Sequence, residues 1–271
     1  MPFLVHAPPP ALAPFVACLW HHEADTAWAH ARERVLPGGT MQLLVNLHED
    51  ELRSYHGPEH RELRRTRGAA LGGPGCRPVV IDTAEQRRIV GVSFKPGGAY
   101  PFFAAPADAL REQDVELDLL WGRDGASLRE RLLEQPTPAA CLQLLARILV
   151  ARVARPLTPD RAIHHAVAAL ERGDPVAAVG ERLGLSPRRL IDRFSAQVGL
   201  TPKRFARVRR FQRLIQALAR GAAPPWAELA VACGYYDQAH LIHEFAEFSG
   251  LQPTAYQPSA PHAANHVVLT D

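Results

Sequence analysis

Short apolar runs bounded by glycine and proline fill the first third of the chain, and apolar residues at helical spacing fill most of the remainder. Met41 to Leu47, Val79 to Asp82 and Ile89 to Phe94 have strand length and are partly β-branched. Pro37-Gly38-Gly39, Gly72-Gly73-Pro74-Gly75 and Pro96-Gly97-Gly98 punctuate them as turns. From about Asp108 the pattern becomes helical. Leu128, Leu132 and Leu133, then Leu142, Leu145, Ile148 and Leu149, predict two helices that close the first domain. The two prolines of Arg155-Pro156-Leu157-Thr158-Pro159 interrupt that pattern. Thr158 suits a helix cap there and Pro159 a first turn. Helices then run to about Tyr256, and the proline-rich stretch from Gln257 reads as a loosely held tail.

The helical part contains a repeat. Leu190, Phe194, Gly199, Pro202 and Phe205 recur as Leu241, Phe245, Gly250, Pro253 and Tyr256 with identical spacings, and each set follows a turn glycine, Gly184 or Gly234, the second turn being one residue longer. One supersecondary unit is used twice. In the first copy Val176, Val179 and Leu183 line a short helix, Gly184-Leu185-Ser186 turns, and Pro187 opens a second helix held inward by Leu190 and Phe194. In the second, Trp226, Leu229, Ala230 and Cys233 form the supporting face, and Asp237 caps a helix anchored by Leu241 and Phe245. Gly180 and Ala230 are equivalent, and their small size lets the second helix cross closely. The predicted fold class is therefore α+β: a mixed, β-rich, sensor-like domain over 1–153, a linker over 154–159, an all-α domain with two helix-turn-helix units over 160–258, and a flexible tail over 259–271.

With 271 residues, nearly half of them apolar and 22% charged, the chain has the composition of a folded two-domain protein. The first twenty residues lack a basic segment and are broken by five prolines, so neither a signal peptide nor a membrane span fits, and a cytoplasmic location is expected. Cys18, Cys76, Cys141 and Cys233 lie too far apart in sequence for a zinc knuckle and read as reduced thiols. The net charge of +3 says little, but its distribution says more. Between Ser186 and Arg220 stand Arg188, Arg189, Arg193, Lys203, Arg204, Arg207, Arg209, Arg210, Arg213 and Arg220 against Asp192 alone. That stretch has the charge of a phosphate-binding surface.

Val176 to Tyr256 resembles the DNA-binding domain of the AraC/XylS family. The likeness rests on Thr201-Pro202-Lys203-Arg204-Phe205 with Arg209, and on Ala232-Cys233-Gly234-Tyr235-Tyr236-Asp237-Gln238-Ala239-His240. It implies a transcription regulator that binds double-stranded DNA, with two recognition helices entering successive major-groove segments about 34 Å apart. Carried over, the base-facing positions are Arg188, Ile191 and Asp192, flanked by Arg189 and Arg193, in the first unit and Gln238, His240 and His243 in the second. Lys203 and Arg207 are expected on phosphate. Histidine stands at 243, and Ala246 and Glu247 follow, where the family commonly has basic residues, so the second unit is expected to hold DNA more weakly.

Residues from about Leu12 to Val153 resemble the N-terminal domain of one branch of these regulators, through Leu36-Pro37-Gly38-Gly39, Phe94-Lys95-Pro96-Gly97-Gly98-Ala99 and Leu120-Trp121-Gly122. The likeness implies a small β-barrel that senses an effector or mediates dimers. A small-molecule effector, RNA polymerase and a second copy of the chain are thus the further partners to expect, and Trp20, His48, Lys95 and Tyr100 are the candidates for an effector pocket. Two other classes compete. A cupin-like barrel enzyme or metal protein would need H-x-H, which is absent, as are G-x-S-x-G, a P-loop and H-E-x-x-H. No cofactor, metal site or catalytic residue is predicted. An adaptor that has lost DNA binding would not need the arginines of the first unit.

Overall fold

The computed structural model describes residues 3–24, 28–57, 60–221, 225–260 and 263–269. Its first half is built of antiparallel strands. One sheet contains β1 (Phe3–His6), β2 (Val16–Glu23), β9 (Arg88–Phe94), β4 (Gln42–Asn46), β7 (Ala69–Gly72) and β10 (Asp114–Glu116), in that order. The other runs β11 (His266–Leu269), β3 (Arg32–Val35), β8 (Val79–Asp82), β5 (Leu52–His56), β6 (Glu62–Thr66). The strands expected near 41–47, 79–82 and 89–94 are β4, β8 and β9. Alternation gives the first sheet one apolar face: Leu19, Leu43, Val45, Leu71, Val90, Val92 and Phe94 are buried in one core with Leu128, Leu132, Leu142 and Leu145. Four helices supply the covering layer: α1 (Leu117–Trp121), α2 (Arg123–Ala126), α3 (Leu128–Leu133) and α4 (Pro138–Ala151).

Six further helices follow: α5 (Arg161–Arg172), α6 (Val176–Arg182), α7 (Pro187–Val198), α8 (Pro202–Ala219), α9 (Trp226–Cys233) and α10 (Gln238–Ser249). The repeat is thereby realised as two helix-turn-helix units, α6–α7 and α9–α10, joined by α8. Gly184 and Gly234 have φ of +62° and +86°, the left-handed geometry each turn requires. At 180 a Cβ would stand 3.4 Å from the Leu185 carbonyl oxygen, so only a small residue fits where α6 meets α7. The helix after the interdomain prolines begins two residues later than its cap signal suggested. Asp160, not Thr158, caps α5 by accepting from the N–H groups of Ala162 and Ile163.

The linker and the described part of the tail are both held on the first domain. The 154–159 segment is no free linker: the Arg155 guanidinium donates to the carbonyls of Tyr100, Phe103 and Ala104, and Leu157 packs on the first core. The tail is not loose either, because His266–Leu269 pairs with β3 of the first domain. Further contacts tie the halves together. Leu36, Cys76 and Val267 are buried in the core of the helical domain, and Gln212 on α8 donates to the Pro37 carbonyl at 2.8 Å. The first domain also meets the C-terminal end of both α7 and α10. Gly199 abuts Pro74 and Ala107 so closely that a Cβ would stand 2.2 Å from the proline ring, while Arg34 donates to the carbonyls of Ser249 and Gly250. Those carbonyls carry the negative end of the α10 dipole, which suits a guanidinium.

Leu36 is 1% exposed and sits in the core of the other domain. Leu36→Ala is expected to lower the unfolding free energy by about 2–5 kcal/mol in urea titrations. Because the lost contacts belong to the helical domain, tryptophan signals from both domains should shift to a lower midpoint together.

Candidate nucleic-acid interface

Both recognition helices are twelve residues long and begin the same way. The Ser186 hydroxyl accepts from the N–H of Arg189, and the Asp237 carboxylate accepts from the N–H of His240. These caps keep the register of the repeat, which pairs Leu190 with Leu241. The counterpart of Arg188 is Ala239, that of Arg189 is His240, that of Asp192 is His243, and that of Arg193 is Glu244. Tyr236 is the extra residue of the second turn.

In the first unit Leu190, Phe194 and Val198 face the core, which leaves Arg188, Arg189, Ile191, Asp192 and Arg193 exposed. The Arg188 side chain is 92% exposed, and its nearest carboxylate, Asp192, is 3.8 Å away and itself open to solvent. Such a pair is worth little, so the Arg188 fork is free to engage a ligand. Arg193 is different. Its guanidinium forks onto Asp160 with donor distances of 2.8 and 2.7 Å, and Gln197 donates to the same carboxylate. Arg193 therefore braces α7 against the start of α5.

The second unit uses the same brace with the charges exchanged. Glu244, whose side chain is 3% exposed, accepts from Arg207 at 2.6 Å and from Arg210 at 2.7 Å, both on α8. Arg207 also pairs with Glu247. The His240 ring belongs to this cluster: Nδ1 accepts from the Tyr236 N–H, and Nε2 lies 3.5 Å from Glu244. Arg210 stacks over Tyr235, whose hydroxyl burial pushes to a higher pKa. Burial alone would raise the Glu244 carboxyl, but hydrogen bonds from Arg210 and Arg207 outweigh it and hold the group below the usual range. Asp160 is held low in the same way, with Gln197 and Arg193 outweighing burial.

The basic stretch of the sequence thus divides by role. Arg209 pairs with Glu171, and Arg213 donates to the carbonyls of Glu171 and Cys233. With Arg193, Arg207 and Arg210 these side chains hold helices together. Arg188, Arg189, Lys203 and Arg220 remain exposed. On α10 the exposed groups are Gln238, Ala239, His243 and Glu247, with Tyr236 just before the helix at 89% exposure. Sequence reading missed Tyr236 and Ala239 as surface groups of the second unit, and the one-residue difference between the turns was the signal that could have found Tyr236.

The four effector candidates do not converge. His48 and Lys95 lie beyond opposite ends of the β4–β9 ladder, which pairs Asn46 with Ile89 and Gln42 with Ser93. At about 3.4 Å per residue the four steps of that ladder alone keep them more than about 13 Å apart. Trp20 fills the space over Gly91 and donates to Ser93, and the Lys95 ammonium donates to the Ala13 carbonyl. Tyr100 alone lines a cleft, of about 310 Å³, between the domains, with Phe15, Pro96, Arg155, His164 and Gln197 on its other walls. Among the described residues no group of His, Cys, Asp and Glu has the arrangement of a metal site, and no helix is long and apolar enough to cross a membrane.

A family model agrees with the helix-turn-helix geometry. Residues 179–259 match a helix-turn-helix domain family, and residues 4–116 match a domain of unknown function, DUF6597. No curated protein sequence matches the chain. Among solved structures the chain is similar to ToxT from Vibrio cholerae, at 8% identity and a TM-score of 0.48 over 94% of this chain and 98% of that one. It is also similar to ToxT of strain SCE256 with an unsaturated fatty acid bound, at 9% identity and a TM-score of 0.44 over 94% of each chain.

The braces give the helical domain a defined acid limit. A folded-state pKa held low contributes stability that is present above the ordinary Glu value, about 4.3, and is lost as pH falls through the folded value. Glu244→Gln should lower the unfolding free energy at pH 7 by about 3–5 kcal/mol, because it leaves Arg207 and Arg210 without their buried partner. Circular dichroism melts from pH 7 to 3 should show a shallower acid decline in that variant than in the parent.

Proposed function

We propose that the chain, which carries a helix-turn-helix domain, is a DNA-binding transcription regulator that reads duplex DNA mainly through Arg188 on α7. The observation that carries this reading is the contrast within the basic stretch: its braced arginines are committed to other helices, while Arg188 stands free at the N-terminal end of a recognition helix. A guanidinium there can fork onto O6 and N7 of a guanine in the major groove. Arg189 flanks it, and the positive end of the α7 dipole adds to the attraction for phosphate. Lys203, exposed at the start of α8, is the candidate for a separate phosphate contact. Arg207 leaves that list, since its charge is already matched by Glu244 and Glu247.

The first domain is the responsive part in this reading. Its loops touch α8 and the ends of both recognition helices, so a small molecule seated against them would alter the distance between the two reading heads. The cleft beside Tyr100, where both domains supply walls, is the candidate seat.

Arg188→Ala should weaken specific binding by about 1–3 kcal/mol and relax preference at one base pair. Lys203→Ala should weaken binding to all sequences alike and reduce the slope of log K against log salt by about 0.9. Fluorescence anisotropy on a selected duplex and a scrambled one, across a salt series, measures both. Equal loss for Arg188→Ala on the two duplexes would assign that side chain to phosphate.

A further inference from the structure

The surface that α10 offers to DNA differs in kind from that of α7. No lysine or arginine lies between Gln238 and Ser249, and the counterpart of Arg188 is the methyl group of Ala239. His240, the counterpart of Arg189, is turned into the Arg210–Glu244 cluster. What remains open at the N-terminal end of this helix is a phenol ring, a carboxamide and a methyl group: Tyr236, Gln238 and Ala239. Asp237 between them is committed to capping the helix. An 89% exposed tyrosine buries nothing in the free protein, so its ring contributes no packing to the fold.

Each of these three groups has a match among base edges. A carboxamide forks onto N6 and N7 of adenine, and apolar side chains contact the C5 methyl group of thymine. Guanine, read best by a cationic fork, has no counterpart here. Resting on the regulator reading above, we propose that the second helix-turn-helix unit recognises an A·T-containing major-groove segment, with Tyr236 and Ala239 against thymine methyl groups and Gln238 on adenine. Tyr236 is then a specificity-determining residue supplied by the additional position in the second turn. The two units read unlike chemistry: the first a guanine through charge, the second thymine and adenine through methyl contact and an uncharged fork.

Duplexes retained by the whole 271-residue chain from a random pool are sequenced, and one strong binder is remade with deoxyuridine in place of thymine in each half separately. Deoxyuridine pairs as thymine does but lacks the methyl group. The expected pattern is a guanine-containing segment and, about one helical turn away, an A·T segment. Deoxyuridine in the A·T segment should weaken binding about fourfold per methyl group, the factor for one buried methylene, and deoxyuridine in the other segment should not. Tyr236→Ser should remove most of the deoxyuridine effect, and Tyr236→Phe should keep it. A second segment that prefers G·C or has no preference overturns the inference, as does an unchanged deoxyuridine effect in Tyr236→Ser. Retention of no duplex at all defeats the regulator reading itself, a separate result.

Discussion

Glu244 is a carboxylate withdrawn almost entirely from water and faced by two guanidinium groups, and the position of the second recognition helix depends on that arrangement. A buried carboxylate is costly unless its oxygens are satisfied, and Arg207 and Arg210 of α8 do this. Charge-assisted forks fix direction as well as distance, so α10 is held in orientation, not merely in contact. The first unit meets the same mechanical need with the signs reversed, Arg193 on the recognition helix and Asp160 at the cap of α5. A duplicated unit has kept the brace and exchanged its charges.

That brace determines what each unit can present. In the first, the strut uses one arginine and leaves two at the surface. In the second it uses two arginines of the supporting helix, and the recognition helix contributes the acid, so no cation is left on α10. The inequality of the two reading surfaces follows from where the charges of the struts were placed. The first domain then fixes the pair as a whole. Leu36 and Gly39 pack on the helical domain, Pro74 and Ala107 press on the end of α7, and Arg34 caps the end of α10. β11, from the chain's last residues, closes the circuit by joining the sheet of the domain where the chain began.

The double helix-turn-helix was legible in the sequence because its determinants are local: turn glycines, caps and apolar residues at spacings that repeat. Several strands were not. β3 (RERV) and β6 (ELRRT) are mostly polar, β6 being paired on one side only, and β2 carries a bulge after Val16 that breaks its alternation. The ion pairs of the arginines were not legible for a different reason. Charge density is visible in a sequence, but the partners of Arg193 and Arg207 lie 33 and 37 positions away, and only the fold brings them together. The tail was misread because a short apolar run, Val267 to Leu269, looks like any chain end until a sheet edge is known to lie beside it. Likewise Trp20, His48, Lys95 and Tyr100 share a chemistry suited to a pocket but not a location.

The measurement that bears most directly on two unequal reading heads on one rigid frame is a hydroxyl-radical footprint of the whole 271-residue chain on a selected duplex. Two protected windows about 10–10.5 base pairs apart on one face are expected. The window carrying the guanine contact should persist in Tyr236→Ser, and the other should fade. A single window, or protection that is the same on unselected DNA, would contradict the account.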